Sequence, residues 1–278
     1  MKKIVLILLV FIAIHSCEKE NQDANIPDYQ PGRLTKISFE TPTQELTYHN
    51  YEYAENDIID RYHYISHADF VSTYHFQSDH LKTVYYSYEG TSEEYYIDSI
   101  EYTYSPSQII EITYMENSRD TVIYFIENGK IRSSTNKSPT SDSGWRTDSY
   151  YYWTGDNLTK YEVHNWFLRP SPIVNTYIYE YSEIENPLFH SNIPRLMKDL
   201  GSGGDLHELS DIIPKCSKNL PSQLSIYIST IPDFEEIYYL KSETFPNINK
   251  PYMVRVNQTY YGSQYSYEYF LDYERLLQ

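Results

Sequence analysis

One pattern recurs along this chain and constrains its fold more than any other feature. An apolar or aromatic residue is followed by four mostly polar residues and then by an aliphatic one. The instances are Tyr29-QPGR-Leu34, Tyr53-AEND-Ile58, Phe76-QSDH-Leu81, Tyr104-SPSQ-Ile109, Ile126-ENGK-Ile131 and Trp153-TGDN-Leu158. Their first residues are spaced by 24, 23, 28, 22 and 27 positions. A four-residue loop is a common antiparallel hairpin connection. A spacing of about 25 fits two strands of roughly eight to ten residues plus two loops. Six instances in order read as an internal repeat. Each hairpin returns the chain, so all six tight turns fall at one end of the sheet. The other connections, near 40–44, 66–69, 89–94, 116–119, 134–144 and 168–172, fall at the opposite end and are less regular. Variable loops over a fixed scaffold are where binding resides.

Tyrosine supplies 33 of the 278 residues and glycine only 9. Tyrosine favours strands, where its ring covers the sheet and its hydroxyl reaches water. Short alternating runs dominate, and helical periodicity is absent from most of the chain. The repeat breaks after Tyr181. The segment at about 186–221 holds most of the helix-compatible sequence, around Ile193–Leu200 and Leu206–Ile212. It is bounded by Pro187, Pro194, Pro214 and Pro221 and interrupted by Gly201, Gly203 and Gly204. The expected fold is all-β. It is a many-stranded antiparallel meander of repeated hairpins, forming a strongly curved sheet or barrel with a short, partly helical insertion. Residues 29–278 are expected to be a single β domain.

The N-terminus supplies an address. Residues 1–16 have a basic start at Lys2 and Lys3, an apolar run from Ile4 to Ile14, and a small residue, Ser16, before Cys17. The run is too short to span a bilayer as a helix. A cysteine at this point is where a lipoprotein is cut and acylated, so residues 17–28 are expected to be a lipidated tether. The chain's other cysteine, Cys216, then has no partner for a disulfide and is read as a small buried apolar residue. Removing Lys2 and Lys3 takes the formal net charge from -17 to -19. A chain this acidic repels nucleic acid and anionic membranes.

The faces of the sheet give the candidate site. If Trp153 pairs with Leu158 and the pairing stays symmetric, Trp145 lands opposite Trp166. That pair, with Phe167, Arg146 and Asn165, is the candidate ligand-binding group, because exposed indoles offer flat faces to sugar rings or apolar ligands. A membrane-spanning barrel needs a consistently apolar lipid-facing side. If Tyr53 pairs with Ile58, that side would carry Asn50, Glu52 and Arg61. The histidines His63, His67, His75 and His80 cluster in sequence, but the hairpin geometry places His67 and His80 at opposite ends, too far apart for one zinc ion. No metal or cofactor is expected. No catalytic motif is present.

Four resemblances add to this. The block YYYWTGDNLTKYEV, residues 150–163, resembles one YD-type repeat of Rhs-like proteins. Cys17-Glu18-Lys19-Glu20-Asn21 resembles the acidic-and-lysine tag that sends lipoproteins of Bacteroidota-type bacteria to the outer surface of the outer membrane. The tripeptides Asp98-Ser99-Ile100 and Asp120-Thr121-Val122 resemble short O-glycosylation signals of such proteins. The whole layout is similar to a Bacteroidota lipoprotein family of unknown function described as having a porin-like β fold. That layout runs from a lipobox through Tyr-rich repeats to an insert opening at Asn186-Pro187 and closing at Ser217-Lys218-Asn219-Leu220-Pro221. The resemblance implies a curved or closed antiparallel sheet and supplies no catalytic residues. The reading favoured by the sequence is a non-enzymatic, lipid-anchored surface protein of the outer membrane that binds a glycan or another extracellular ligand. The alternatives are an accessory lipoprotein docked to an outer-membrane partner through a sheet edge or the insertion, and then a hydrolase.

Overall fold

The computed structural model describes residues 31–40, 46–63, 69–77, 80–89, 97–115, 118–137, 146–166, 170–188, 212–214, 216–231, 235–260 and 262–275. The signal, the tether with Cys17, and the segments Ile193–Leu200 and 206–211 lie outside them. The first strands are β1 (Pro31–Glu40), β2 (Leu46–Tyr53), β3 (Asp57–His63), β4 (Asp69–Gln77), β5 (His80–Glu89) and β6 (Ile97–Tyr104). Next come β7 (Gln108–Met115), β8 (Ser118–Glu127), β9 (Lys130–Lys137), β10 (Arg146–Thr154), β11 (Asn157–Trp166) and β12 (Ile173–Glu185). The last are β13 (Asn219–Ile228), β14 (Glu235–Thr244), β15 (Pro251–Tyr260) and β16 (Ser263–Arg275). Each strand pairs antiparallel with its neighbours in sequence, and β1 closes on β16 to complete a sixteen-stranded barrel. The expected curved, many-stranded meander is therefore a closed barrel, which leaves no free strand edge among these strands for a partner to extend.

Five of the six turn motifs are hairpins, and their anchors pair as the pattern implies. Tyr53 faces Ile58, Phe76 faces Leu81, Tyr104 faces Ile109, Ile126 faces Ile131 and Trp153 faces Leu158. The sixth instance, at Tyr29–Leu34, is not a hairpin. Pro31 to Arg33 are already part of β1, whose Pro31 and Leu34 pair with Arg275 and Tyr273 of β16. Only two of the five loops are four residues long. In the other three the strands pair down to Gln77–His80, Glu127–Lys130 and Thr154–Asn157 and leave two-residue turns. Asn128 and Gly129, with φ of 53° and 74°, supply the left-handed conformations that such a turn needs. Each two-residue turn is followed by a bulge that leaves Lys82, Arg132 or Thr159 without an opposite residue. The bulge reverses the face parity of the second strand beyond its anchor, so that Leu158 and Tyr161, for example, share the inner face.

The tight-turn end is held by a repeated side-chain bond. The aromatic anchor at the end of one strand donates to the backbone carbonyl of the aliphatic anchor that begins the strand before it. Tyr53 Oη bonds the Leu34 carbonyl at 2.8 Å and Tyr104 Oη bonds Leu81 at 2.7 Å. Trp153 Nε1 bonds Ile131 at 2.8 Å and Tyr181 Oη bonds Leu158 at 2.6 Å. Tyr273 Oη bonds the Pro251 carbonyl at 2.8 Å. Where the anchor lacks a donor, its backbone NH bonds across instead, from Phe76 to Asn56 and from Ile126 to Ser107. Burial pushes the Tyr53 hydroxyl up to about 12 and raises those of Tyr104 and Tyr181 as well.

The interior is a core at this end. Leu34, Leu81, Ile109, Ile131, Leu158, Leu220 and Phe245 are buried. They are joined by Ile212, Ile213, Cys216 and Ser217 from the end of the insertion. The insertion's neck is closed by Asn186, 2% exposed. Its Nδ2 donates to the carbonyls of Pro214 (2.9 Å) and Ser217 (2.8 Å), and its Oδ1 accepts from the Leu188 NH. Ser217 Oγ accepts from the Leu158 NH and meets Tyr181 Oη at 2.8 Å. Asn157 and Asn219 bond one another twice. Asn186-Pro187 and Ser217–Pro221 are thus the two sides of this neck. Asn219 to Pro221 already pair with β12, so the insertion ends at Lys218 rather than 221. Pro221 is tolerated in a strand because it sits between two register shifts. Cys216 is buried, as expected, and burial pushes its thiol up to about 12.

Candidate functional site

At the loop end the same strands line the interior with different chemistry. Cross-strand partners share a face, so the registers of β9 to β12 define three rows across the inner wall. The deepest described here is Tyr151, Tyr161 and Tyr177, whose ring centroids are 4.9 and 5.5 Å apart. Above it lie Ser134, Ser149, Val163 and Asn175. Nearest the loops lie Asn136, Thr147, Asn165 and Ile173. The middle row is tied to the floor: Ser134 Oγ meets Tyr151 Oη at 3.3 Å and Ser149 Oγ meets Tyr161 Oη at 3.2 Å. In the outer row Thr147 Oγ1 donates to Asn165 Oδ1 at 3.1 Å. The Oδ1 atoms of Asn136 and Asn175 are buried without a hydrogen-bond partner among the described residues. Buried polar atoms are normally paired, so these two are unusual.

The structure divides the group expected from sequence. Trp145 and Phe167 lie outside the described residues. The bulge between Tyr152 and Trp153 shifts the register by one, so Trp166 faces Arg146 rather than Trp145. The same shift puts Asn165 on the inner face with Thr147, and Arg146 and Trp166 on the outer face. There Asp148, 5% exposed, accepts from Arg146 Nε at 2.8 Å and from Trp166 Nε1 at 3.1 Å. The guanidinium and the indole NH are thus already engaged by a carboxylate of their own strand pair. Below them on the outer face Tyr150 meets His164 edge-on at 4.9 Å, and Glu162 bonds Lys160 at 2.7 Å and Tyr152 Oη at 3.1 Å. Burial is the largest cause raising the Tyr152 hydroxyl, with its bond to Glu162 next.

Ionisable pairs elsewhere do not assemble a second centre. On the inner face of β2 and β3, His49 Nδ1 lies 2.9 Å from Asp60 Oδ1 and the ring stacks on Tyr62 at 4.6 Å. Ser72 faces Asp60 from β4, across the carboxylate from His49, which is the wrong order for a nucleophile–base–acid relay. His75 pairs with Asp57 beside a tight turn at 2.6 Å, and His80 packs edge-on against Tyr104. His63 lies at the other end of β3, so these histidines do not converge; His67 lies outside the described residues. Among the described residues no group of three metal-ligating side chains converges.

No protein-family model and no curated protein matches this chain. A crystal structure of a porin-like protein from Bacteroides uniformis is similar at 12% identity and a TM-score of 0.39, covering 90% of this chain and 100% of that one.

Proposed function

We infer that this chain is a lipid-anchored, non-enzymatic protein of the outer-membrane surface, whose barrel stands outside the bilayer and takes an extracellular ligand at its loop end. The observation that carries this reading is the outer face. It bears charged side chains around the barrel: Glu52 and Arg61 on β2 and β3, beside the neutral but polar Asn50, Glu101 on β6, and Lys160 and Glu162 on β11. Arg255 and Glu268 pair on β15 and β16 at 2.8 Å, with Lys36 opposite Asp272 beyond them. Charges on the lipid face of a barrel cost about 2–4 kcal/mol each for Arg or Lys at the midplane. A wall with this many is suited to water. β1 begins at the packed end, where the Leu34 carbonyl accepts from Tyr53 Oη.

The test is fractionation with surface proteolysis. Wild type should partition with outer membrane and be shaved from intact cells, and Cys17→Ala should be released. A Cys17→Ala protein still embedded in membrane and protected from protease would sink the reading.

A second reading has its own observation. Phe125, Tyr150, Tyr152, Ile178, Tyr227 and Tyr239 are large exposed side chains between β8 and β14 on the outer face. They would serve docking to an outer-membrane partner through the wall, since closure leaves no edge. Loss of a co-purifying membrane protein on Tyr152→Asp plus Tyr239→Asp, with ligand binding intact, would favour it.

A further inference from the structure

We propose that the inner wall of β9 to β12 at the loop end is a binding site for a neutral, hydroxyl-rich ligand, an oligosaccharide segment, held by Asn136, Thr147, Asn165 and Asn175. This rests on the reading of the loop end as the binding end and names the ligand class. Three observations converge.

The first is supply of hydrogen bonds. Asn136 and Asn175 each keep a buried carboxamide oxygen without a partner among the described residues. A buried acceptor left unpaired costs about 1–3 kcal/mol, which a donor from a ligand hydroxyl relieves. Thr147 Oγ1 donates to Asn165 Oδ1 at 3.1 Å, and the Asn165 carboxamide has two NH donors besides.

The second is spacing. Neighbouring strands lie about 4.8 Å apart and same-face residues along a strand about 6.6 Å apart. The rows Asn136–Thr147–Asn165–Ile173 and Ser134–Ser149–Val163–Asn175 therefore form a mainly polar grid with the pitch of a sugar ring and its hydroxyls. The tyrosine row closes the grid on the packed side, so a ligand reaches it from the loop end.

The third is charge. The chain carries a net charge of -17, yet no ionised side chain stands in the grid. A charged ligand would be desolvated there with no counter-charge. The outer-face group of Arg146, Asp148 and Trp166 has the charges such a ligand would want, but those groups bond one another.

The experiment is titration calorimetry on the full chain purified in detergent. The probes are neutral maltohexaose, cellohexaose and chitohexaose, with anionic hexagalacturonate as comparator. At least one neutral hexasaccharide should bind and hexagalacturonate should bind more weakly. Asn136→Leu and Asn175→Leu should each weaken binding about tenfold, the equivalent of one hydrogen bond. Tyr150→Ala, on the outer face, should leave it unchanged. Thr147→Val is the milder variant if either leucine change lowers the unfolding midpoint, and it should also weaken binding. Three results overturn the site: no neutral hexasaccharide binds, binding is indifferent to all three inner-wall changes, or hexagalacturonate binds as tightly. None of them touches the fractionation result on which the surface reading depends.

Discussion

The two ends of this barrel are stabilised by different means, although the same strands run through both. At the tight-turn end the anchors are aliphatic or aromatic, and Leu81, Leu158, Leu220 and Leu224 are at 0% exposure. Several polar groups there follow a fixed scheme, hydroxyl to carbonyl and carboxamide to neck. At the loop end the inner wall of β9 to β12 carries buried serines, half-buried amides and Thr147, with Val163 and Ile173, and the carboxamide oxygens of Asn136 and Asn175 are without a partner among the described residues. Among the described residues the fully buried leucines lie towards one end, and the unpaired carboxamide oxygens of Asn136 and Asn175 towards the other. A barrel divided in this way tolerates an exposed recognition surface because the packed end carries the fold.

The largest expected effect tests that division directly. Leu158→Ala removes a side chain that is 0% exposed and should destabilise by about 3 kcal/mol. Val163→Ala, on the same strand but half-buried, should cost about 1 kcal/mol or less. Urea unfolding monitored by tryptophan fluorescence measures both, and equal losses would break the comparison. Asn186→Ala comes next. It leaves the Pro214 and Ser217 carbonyls and the Leu188 NH without their partner in a buried neck, for an expected loss of about 2–3 kcal/mol. If the midpoint does not move, the neck is not what holds the insertion.

Much of the packed end was readable from sequence, because its anchors are chemically conspicuous. An aromatic, four polar residues and an aliphatic located five of the hairpins. The motif failed at Tyr29–Leu34, where Pro31-Gly32-Arg33 looks like a turn but is carried as the first residues of β1 by pairing with β16. The loop end was less legible for a specific reason. Face assignment depends on register, and the bulges at Lys82, Arg132 and Thr159 reverse the parity of everything beyond them. Thr159 looks like any strand residue. The Asn128-Gly129 pair was the available signal, since it marks a two-residue turn. A two-residue turn at Gly155 alone keeps Trp153 opposite Leu158; it is the bulge at Thr159 that puts Asn165 on the inner face and Trp166 on the outer one. Asn136 and Asn175 carry no sequence signal of their own, because an asparagine in a strand becomes informative only once its face is known.

Alkali probes the same contrast. Burial raises the Cys216 thiol from 9.0 to about 12 and the Tyr53 hydroxyl from 10.0 to about 12. For an acid whose folded pKa lies above its unfolded one, the stabilisation is complete below the unfolded value and is lost as pH rises through the folded value. The urea midpoint should therefore fall between about pH 9 and pH 12, and Cys216 should resist maleimide at pH 8 until urea unfolds the chain. Rapid labelling of the folded protein would show that the packed end is open.

The smallest effect concerns the ring of aromatic-to-carbonyl bonds. Five anchors donate through a side chain, while Phe76, Ile126 and Phe245 occupy equivalent ends with no side-chain donor. If the ring is a repeated device and not five coincidences, Phe76→Tyr should place a hydroxyl towards the carbonyl of Ile58, the aliphatic anchor that begins β3. A new buried hydrogen bond at that position is worth about 0.5–1 kcal/mol. Tyr181→Phe is the converse. It removes the bonds to Leu158 and Ser217, so it should cost somewhat more than Phe76→Tyr gains. The comparison is informative because both changes are one oxygen atom at matching positions of the repeat. A gain at Phe76 with a loss at Tyr181 fits a common device. A loss at both would mean that the β3–β4 end is packed around the bare ring and that the equivalence holds for the backbone only.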